Sequence, residues 1–428
     1  MSDSNRRVFL KHTAAFASAS AMPAAAANDR LTVGVIGCGG RGMGLLREFA
    51  SQADIAYVCD PDESRRRQAQ EKVSARHAVA DLRRVLDDKS VDAVVIATPE
   101  HWHAPAAILA CEAGKHVYVE KPCSHNLREG RLMIEAARRT KRVMQVGTQS
   151  RSNQFIAGAI QMLREGVIGD VLVAKAWDVQ RRANIGRLQP SDPPPGVDYD
   201  MWVGPAEFVP FQANRFHYHW HWWYNFGAGG IGGDGPHEVD YARWGLGVET
   251  HPSTVAGLGG KFYFDDDQEF PDNGTVVFEW PGDAKVRNKR QLIFELRIWS
   301  PNGLHGVDSG AEYYGTKGKM FLSKRGKLEI LDEKNKPVTA QPKNPPQLLP
   351  GHAADFLDAI KTGRTPNADI EVGHLSSSLV HLGNLAMRTG RSLQFDPRTE
   401  QIIGDKQANA LLSRKYRKGG HWAIPRGV

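Results

Sequence analysis

The sequence predicts an α/β N-terminal domain built on a doubly wound parallel sheet, followed by an α+β C-terminal domain with a large, open, mostly antiparallel sheet. Three observations predict it. Short apolar runs alternate with helix-length amphipathic segments over residues 31–149. The first of those runs closes on a glycine-rich turn, Gly37-Cys38-Gly39-Gly40-Arg41-Gly42. Beyond residue 150, several strand-like runs alternate apolar and polar residues, as antiparallel strands with one wet face do.

Residues 31–36 read as a buried strand and residues 43–50 as the helix that follows the glycines. A second apolar run, 55–59, ends in Asp60, about 20 residues past the turn. That arrangement is a dinucleotide-binding, or Rossmann, fingerprint. Gly37 permits the tight turn, Gly39 lets the backbone approach a pyrophosphate, and Gly42 lets helix and strand pack closely. Gly40 and Arg41 complete the turn, and amides at the helix start face the phosphate charge. Asp60 suits the ribose 2′-hydroxyl of NAD; Arg65, Arg66 and Arg67 keep NADP as the alternative.

The remaining strands of this domain, assigned to residues 28–149, are 93–98, 116–120 and 143–146. Helices are expected over 62–73, 105–113 and 127–139. Right-handed βαβ units place ligands at the carboxyl ends of the strands. Asp60, Thr98-Pro99 and Glu120-Lys121-Pro122 fall there. Gln149 and Arg151 follow the last strand, with Arg151 expected to reach substrate, and Trp102 and His103 are expected on the nicotinamide side.

The second domain is assigned to residues 150–345. It opens with a helix at 155–164 and a strand at 171–179, followed by a proline-rich loop at 181–200. Strands are expected at 254–264, 275–280, 291–299, 319–322 and 327–331, with a hairpin turn at 323–326. Residues 346–428 read as a C-terminal helical extension, with helices at 354–362 and 375–388, and a basic tail.

The bulk numbers narrow the classes. The chain has 428 residues, 41% hydrophobic and 24% charged, which suits two or three globular domains. The net charge of +7 leaves a nucleic-acid patch open in the tail, but a solvated or subunit-contacting tail is preferred. No apolar run beyond the N-terminus reaches the ~18 residues of a membrane span. Cys38, Cys59, Cys111 and Cys123 show neither metal spacing nor a disulfide framework, so free, mostly buried thiols are expected. Residues 1–27 read as a targeting segment. Arg6-Arg7-Val8-Phe9-Leu10-Lys11 resembles a twin-arginine motif and residues 24–27 offer A-x-A cleavage sites, so a periplasmic or otherwise exported protein is expected. A disordered basic N-terminus is the alternative.

Glu120-Lys121-Pro122 resembles the signature of the glucose-fructose oxidoreductase / inositol dehydrogenase / MocA (Gfo/Idh/MocA) family. Residues 97–103 (ATPEHWH), the glycine-rich 229–240 segment and the 314–318 turn resemble other parts of it. The similarity spans residues 30–395. It implies an oxidoreductase carrying NAD, or NADP, that acts on a small carbohydrate or cyclitol, with a homo-oligomer (dimer or tetramer) as the usual assembly. In that resemblance Lys121 holds and polarises the reacting oxygen, Glu120 accepts from the nicotinamide-side ribose, and His237 transfers the proton. Many members carry an acid four residues before that histidine. Here the position is Gly233, and Asp234 stands one closer. Asp234 is left to orient His237 or to hold a sugar hydroxyl.

The run 216–224 (FHYHWHWWY) has three readings. If extended, His217, His219 and His221 share one face and could hold a metal; no carboxylate spacing supports that, and no metal is assigned. The preferred reading is a carbohydrate platform using His219, His221, Trp222 and Tyr224; a buried aromatic cluster is the third. The resulting expectation is an exported NAD(P)-dependent sugar oxidoreductase that retains its cofactor. Glycoside cleavage by oxidation, elimination and re-reduction is the alternative, and a non-catalytic sugar-binding protein is the second alternative.

Overall fold

A computed structural model describes residues 30–343 and 351–428. The targeting segment expected over 1–27 lies outside the described residues.

The N-terminal sheet contains β1 (Thr32–Ile36), β2 (Asp54–Cys59), β3 (His77–Val79), β4 (Ala93–Ile96), β5 (His116–Val119) and β6 (Met144–Val146). All pairs are parallel, in the order β3-β2-β1-β4-β5-β6. The chain reverses direction across the sheet between β1 and β4, which opens a crevice at their carboxyl ends. Helices α1 (Gly40–Ala50), α2 (Glu63–Val73), α3 (His103–Glu112) and α4 (Leu127–Thr140) make the crossovers. Asp62 caps α2 by accepting from the amides of Ser64 and Arg65. Asn126 caps α4 through the amide of Glu129. Both are cap residues in extended backbone, as the physics of exposed first-turn amides requires. Strand β3 went unseen in the sequence, because three residues between polar segments carry no periodicity.

The second sheet has nine strands in the order β13-β12-β11-β7-β10-β9-β8-β14-β15. These are β7 (Val171–Val179), β8 (Thr254–Gly260), β9 (Asn273–Trp280), β10 (Arg290–Arg297), β11 (Ser309–Gly315), β12 (Gly318–Ser323), β13 (Lys327–Asp332), β14 (Leu393–Asp396) and β15 (Gln401–Ile402). Only β7 and β10 pair in parallel. The β12–β13 hairpin turns through Gly326 at φ +83°, where the expected turn lies. Helices α5 (Gln154–Arg164) and α6 (Gly235–Leu246) cover one face. Val239, Tyr241, Ala242 and Leu246 of α6 join one apolar core with Ala174, Leu292, Phe294 and Tyr313 of the strands.

The C-terminal helices α7 (His352–Thr362) and α8 (Ile370–Thr389) fasten the two domains together. Ala353, Phe356 and Leu357 of α7 pack into the nucleotide domain, where Phe356 meets the rings of Phe49 and Tyr118. Helix α8 lies against both α4 and β8. Its Ser377 hydroxyl accepts from the amide of Cys123, 3.0 Å away. The basic tail folds back onto the body. Arg414 pairs with buried Glu129, Arg417 with Asp200, and Trp422 lies against Trp102 and Arg83. All four cysteines are free and buried.

Candidate active site

At the switch point, Gly37 takes φ +93°, and a Cβ there would lie 2.6 Å from the carbonyl carbon of Ala97. A Cβ on Gly42 would run into the carbonyl of Gly37. Gly39 begins α1 with no side-chain cap, so the first-turn amides remain for a ligand's phosphates. A Cβ on Gly39 would come 2.9 Å from Arg65 Nη1, which places that guanidinium at the same turn. Asp60, at the end of β2, accepts from the amides of Cys38 (2.8 Å) and Asp62 (2.9 Å). Burial raises its carboxyl above the ordinary range. This chain's glycine turn, uncapped helix start and strand-end acid therefore fit a dinucleotide.

These groups border a cavity of about 550 Å³ that runs from the glycine turn to α6. Of the expected cofactor-side residues, Gly37, Gly39, Gly40, Arg41, Asp60, Thr98, Pro99, His103, Glu120, Lys121 and Gln149 line it. Gly42 sits behind, in the helix–turn packing. Glu120 accepts from Arg41 Nε (2.7 Å) and Gln149 Nε2 (3.1 Å), which locks its carboxylate at the strand end. Both ring nitrogens of His103 face carbonyls, those of Pro122 (2.7 Å) and Thr98 (3.0 Å), so the ring contributes a wall while its polar atoms are engaged.

The peptide between Lys121 and Pro122 is cis. Lys121 Nζ donates to the carbonyl of Gly233. The next residue, Asp234, pairs with Arg182, and His237 lies one helical turn further on. Burial works against the Asp234 carboxylate, but Lys121 and Arg182 more than offset it and hold the group ionised. His237 is half-buried and neutral: burial, then the charges of Lys324 and Lys121, push its pKa well below 6.5. His221, across from Gly233, is lowered to about 3, chiefly by burial. Glu100, buried in the same region, is raised to about 8 by burial, against the pull of Lys121.

Two segments of the second domain strap the start of α2, beside Asp60. Gly196 O accepts from the Glu63 amide (3.0 Å), and Pro61 O accepts from the Asp198 amide (3.1 Å). His217 Nε2 meets Asp62 Oδ2 at 3.0 Å. His217 is lowered to about 4, first by burial and then by Arg65, so at pH 7 a neutral imidazole hydrogen-bonds the Asp62 carboxylate in place of an ion pair.

Three substrate expectations are corrected. Arg151 does not reach the cavity. Its Nε and Nη2 grip the Asp240 carboxylate at 2.9–3.1 Å and its guanidinium covers Trp244, because an arginine buried at this depth needs a charge partner. Tyr224 faces a different cavity, under Arg388. His219 does not line the site. The extended reading of 216–224 also fails. His217 has φ +57° and residues 219–222 form a 3₁₀ turn, so the three histidines share no face. His221, Trp222 and Asp234 do line the cavity, joined by Arg182, His217, Tyr218 and Trp220. Arg182 had no signal in the sequence, since its partner lies 52 residues away.

The comparisons with known proteins agree with this geometry. Residues 31–148 match the model of an oxidoreductase family with an NAD-binding Rossmann fold. Residues 173–272 and 303–424 match the model of that family's C-terminal α/β domain. The chain is 25% identical to scyllo-inositol 2-dehydrogenase (NAD(+)) of Bacillus subtilis over 364 residues, 80% of this chain and 89% of that protein. It is 31% identical to glycosyl hydrolase family 109 protein 2 of Shewanella sp. over 216 residues, 41% of this chain and 46% of that protein. The fold superposes on the WlbA dehydrogenase of Bordetella pertussis, solved with NADH and UDP-GlcNAcA, with a TM-score of 0.65 and 18% identity over 86% of this chain and 99% of that one. The chain, with its NAD-binding Rossmann domain and its α/β partner, belongs to the Gfo/Idh/MocA family of oxidoreductases.

Proposed function

We propose that this protein oxidises a secondary hydroxyl of a sugar, glycoside or cyclitol, and that it is exported with its NAD retained through the catalytic cycle. The observation that carries the reading is the meeting of Lys121, Asp234 and His237 on one wall of the cavity that begins at the glycine turn. The bound nicotinamide supplies the hydride acceptor. Lys121 Nζ, now on the Gly233 carbonyl, takes the substrate oxygen as its acceptor and stabilises negative charge there. His237, neutral and half-buried on the cavity wall, takes the hydroxyl proton. Asp234, held ionised by Lys121 and Arg182, places a negative charge beside the lysine. Trp220 and Trp222 offer apolar faces to the ring C–H groups, and His221 offers a hydroxyl partner.

Retention is supported by the strap at the start of α2, where Asp62 joins His217. Export rests on the Arg6-Arg7 motif and residues 24–27. Assembly into a dimer or tetramer is supported by large exposed side chains on β8 and the loop that follows it: Leu258, Phe262 and Tyr263.

A second reading, redox-neutral glycoside cleavage, is favoured by the likeness to a family 109 glycosyl hydrolase. It requires a second base to remove a proton beside the transient ketone. His221, a neutral imidazole near Lys121, is the candidate.

The test is to denature purified mature protein, identify the released nucleotide by mass, and then assay the intact protein on sugars, cyclitols and aryl glycosides. Near-stoichiometric NAD with substrate oxidation is expected. Release of aglycone with no net change in cofactor redox state would replace oxidation by cleavage. A protein that is empty and binds neither NAD nor NADP would overturn both.

A further inference from the structure

A second cavity, of about 720 Å³, shares no lining residue with the first. Its walls come from residues 125–126, residues 223–228, the C-terminal half of α8 and the tail segment 410–415. Trp223, Tyr224 and Phe270 give it aromatic surface, with Arg388 stacked 4.0 Å over Tyr224 and Arg215 4.1 Å over Trp223.

Its charge is unbalanced. Arg215, Arg388, Arg414 and Lys415 line it against Glu207 and Glu269. Arg215 is engaged by Pro210 O and Gln212, and Glu269 accepts from the Tyr224 amide. Among the described residues, Arg388 and Lys415 have no carboxylate or carbonyl partner. Behind these cations the wall residues are short of hydrogen bonds. His381 is 5% exposed, and its Nε2 has no partner. Asn126, also 5% exposed, caps α4 with Oδ1 and leaves Nδ2 unmatched. The Arg414 side chain is 6% exposed; Nε and Nη2 are engaged, and Nη1 is not. Asn384 Oδ1, an acceptor on the same wall, is unmatched too. Buried polar groups in native proteins are nearly always satisfied, so unmatched donors and acceptors on one wall, beneath two unpaired cations, point to a polar ligand that carries negative charge.

We propose that this cavity is a second binding site, separate from the redox cavity, for a sugar-sized molecule bearing an anionic group, either a carboxylate or a phosphate. Arg388 and Lys415 take the anion. Tyr224 and Phe270 offer apolar surface to the ring, and the unmatched donors and acceptors of the wall serve its hydroxyls, which both donate and accept. A neutral sugar lacks the partner for the two cations.

Calorimetric titration of the full-length, nucleotide-loaded protein tests this with four probes: glucuronate, glucose 6-phosphate, inorganic phosphate and glucose. Glucuronate or glucose 6-phosphate binds one site with Kd below about 1 mM, and glucose does not; which of the two binds identifies the anionic group. The double variant Arg388→Ala/Lys415→Ala, both on the surface, keeps the parent melting temperature and binds roughly tenfold or more weakly. Lys121→Ala leaves the affinity unchanged. The proposal is overturned if neither sugar anion binds, if only inorganic phosphate binds, if the double variant binds as well as the parent, or if Lys121→Ala abolishes binding and so places the anion in the redox cavity.

Discussion

In the N-terminal sheet, β4 is buried at all four residues and β5 at three of four. In the C-terminal sheet, β10 alternates buried and half-buried along its whole length, and β9 does nearly the same. A parallel sheet covered on both faces exposes only its strand ends, and that is where Asp60, Thr98 and Lys121 sit. An antiparallel sheet with one open face has two further kinds of surface: the loops that leave it, and the face itself. Here the loops supply Arg182, His217 and His221 to the site, while the face contributes nothing to it. Function in the first domain is therefore tied to backbone positions that tolerate no extra atoms, and in the second to side chains on longer segments.

Gly42→Val is the harshest test of that contrast. Its Cβ would strike the Gly37 carbonyl, which is backbone and cannot move without opening β1 against α1. Loss of soluble protein, or of all NADH binding by fluorescence, is expected. A soluble variant with normal NADH affinity would show that the turn is less constrained than its geometry implies. Lys121→Ala acts at a strand end without touching the packing. Turnover should fall by about 10²–10⁴ with the melting temperature nearly unchanged and bound NAD retained. Retained turnover would remove Lys121 from the chemistry.

Much of this was legible in the sequence where local patterning decides the outcome. The glycine turn, the strands read at 55–59 and 93–98 (the latter ending at Ile96 in the structure) and the acid after the second strand all follow from short-range periodicity and turn chemistry. Strand β11, Ser309–Gly315, was not, because its small and polar residues become strand only by pairing with β7 and β12. Side-chain direction was illegible for the same reason. Gln149 and Arg151 stand two residues apart after β6, yet one lines the cavity and the other turns to Asp240, 89 residues away. The acid that keeps an arginine out of a pocket is a long-range fact.

The next effect spans both regions. His101, His221 and His381 are lowered from 6.5 to about 3, each mainly by burial. A histidine whose folded pKa is depressed contributes stability above pH 6.5, lost as pH falls toward the folded value, because the unfolded chain binds the proton first. Glu100, raised to about 8, has the opposite sense. Its neutral form favours the fold below pH 4.5, and that contribution is lost as pH rises through about 8. Stability measured by urea denaturation should therefore peak between pH 6.5 and 8 and decline steadily toward pH 4. A flat profile from pH 7 to 5 would mean that these imidazoles are hydrated in solution. His217→Ala probes the strap alone. One hydrogen bond from a neutral imidazole to Asp62 is removed, worth about 1 kcal/mol, so NAD should dissociate roughly fivefold faster with kcat little changed.

The mildest test lies on the open face. Thr275 in β9 is exposed, and Leu258, its partner on β8, is 80% exposed. If that face were a covered core like the N-terminal sheet, Leu258→Asp would unfold the protein. As an open face, the subunit should lose no more than about 0.5 kcal/mol, within the range of surface substitutions. Any larger effect should appear in assembly instead. If copies of the chain meet through this face, light scattering should show a smaller particle for Leu258→Asp at unchanged turnover, because no residue of β8 reaches the redox cavity. A variant that keeps its parent's mass and its melting temperature would leave the face solvent-exposed in the assembly too. Subunit contacts would then have to be sought among the helices and loops, where the second domain already places its functional side chains.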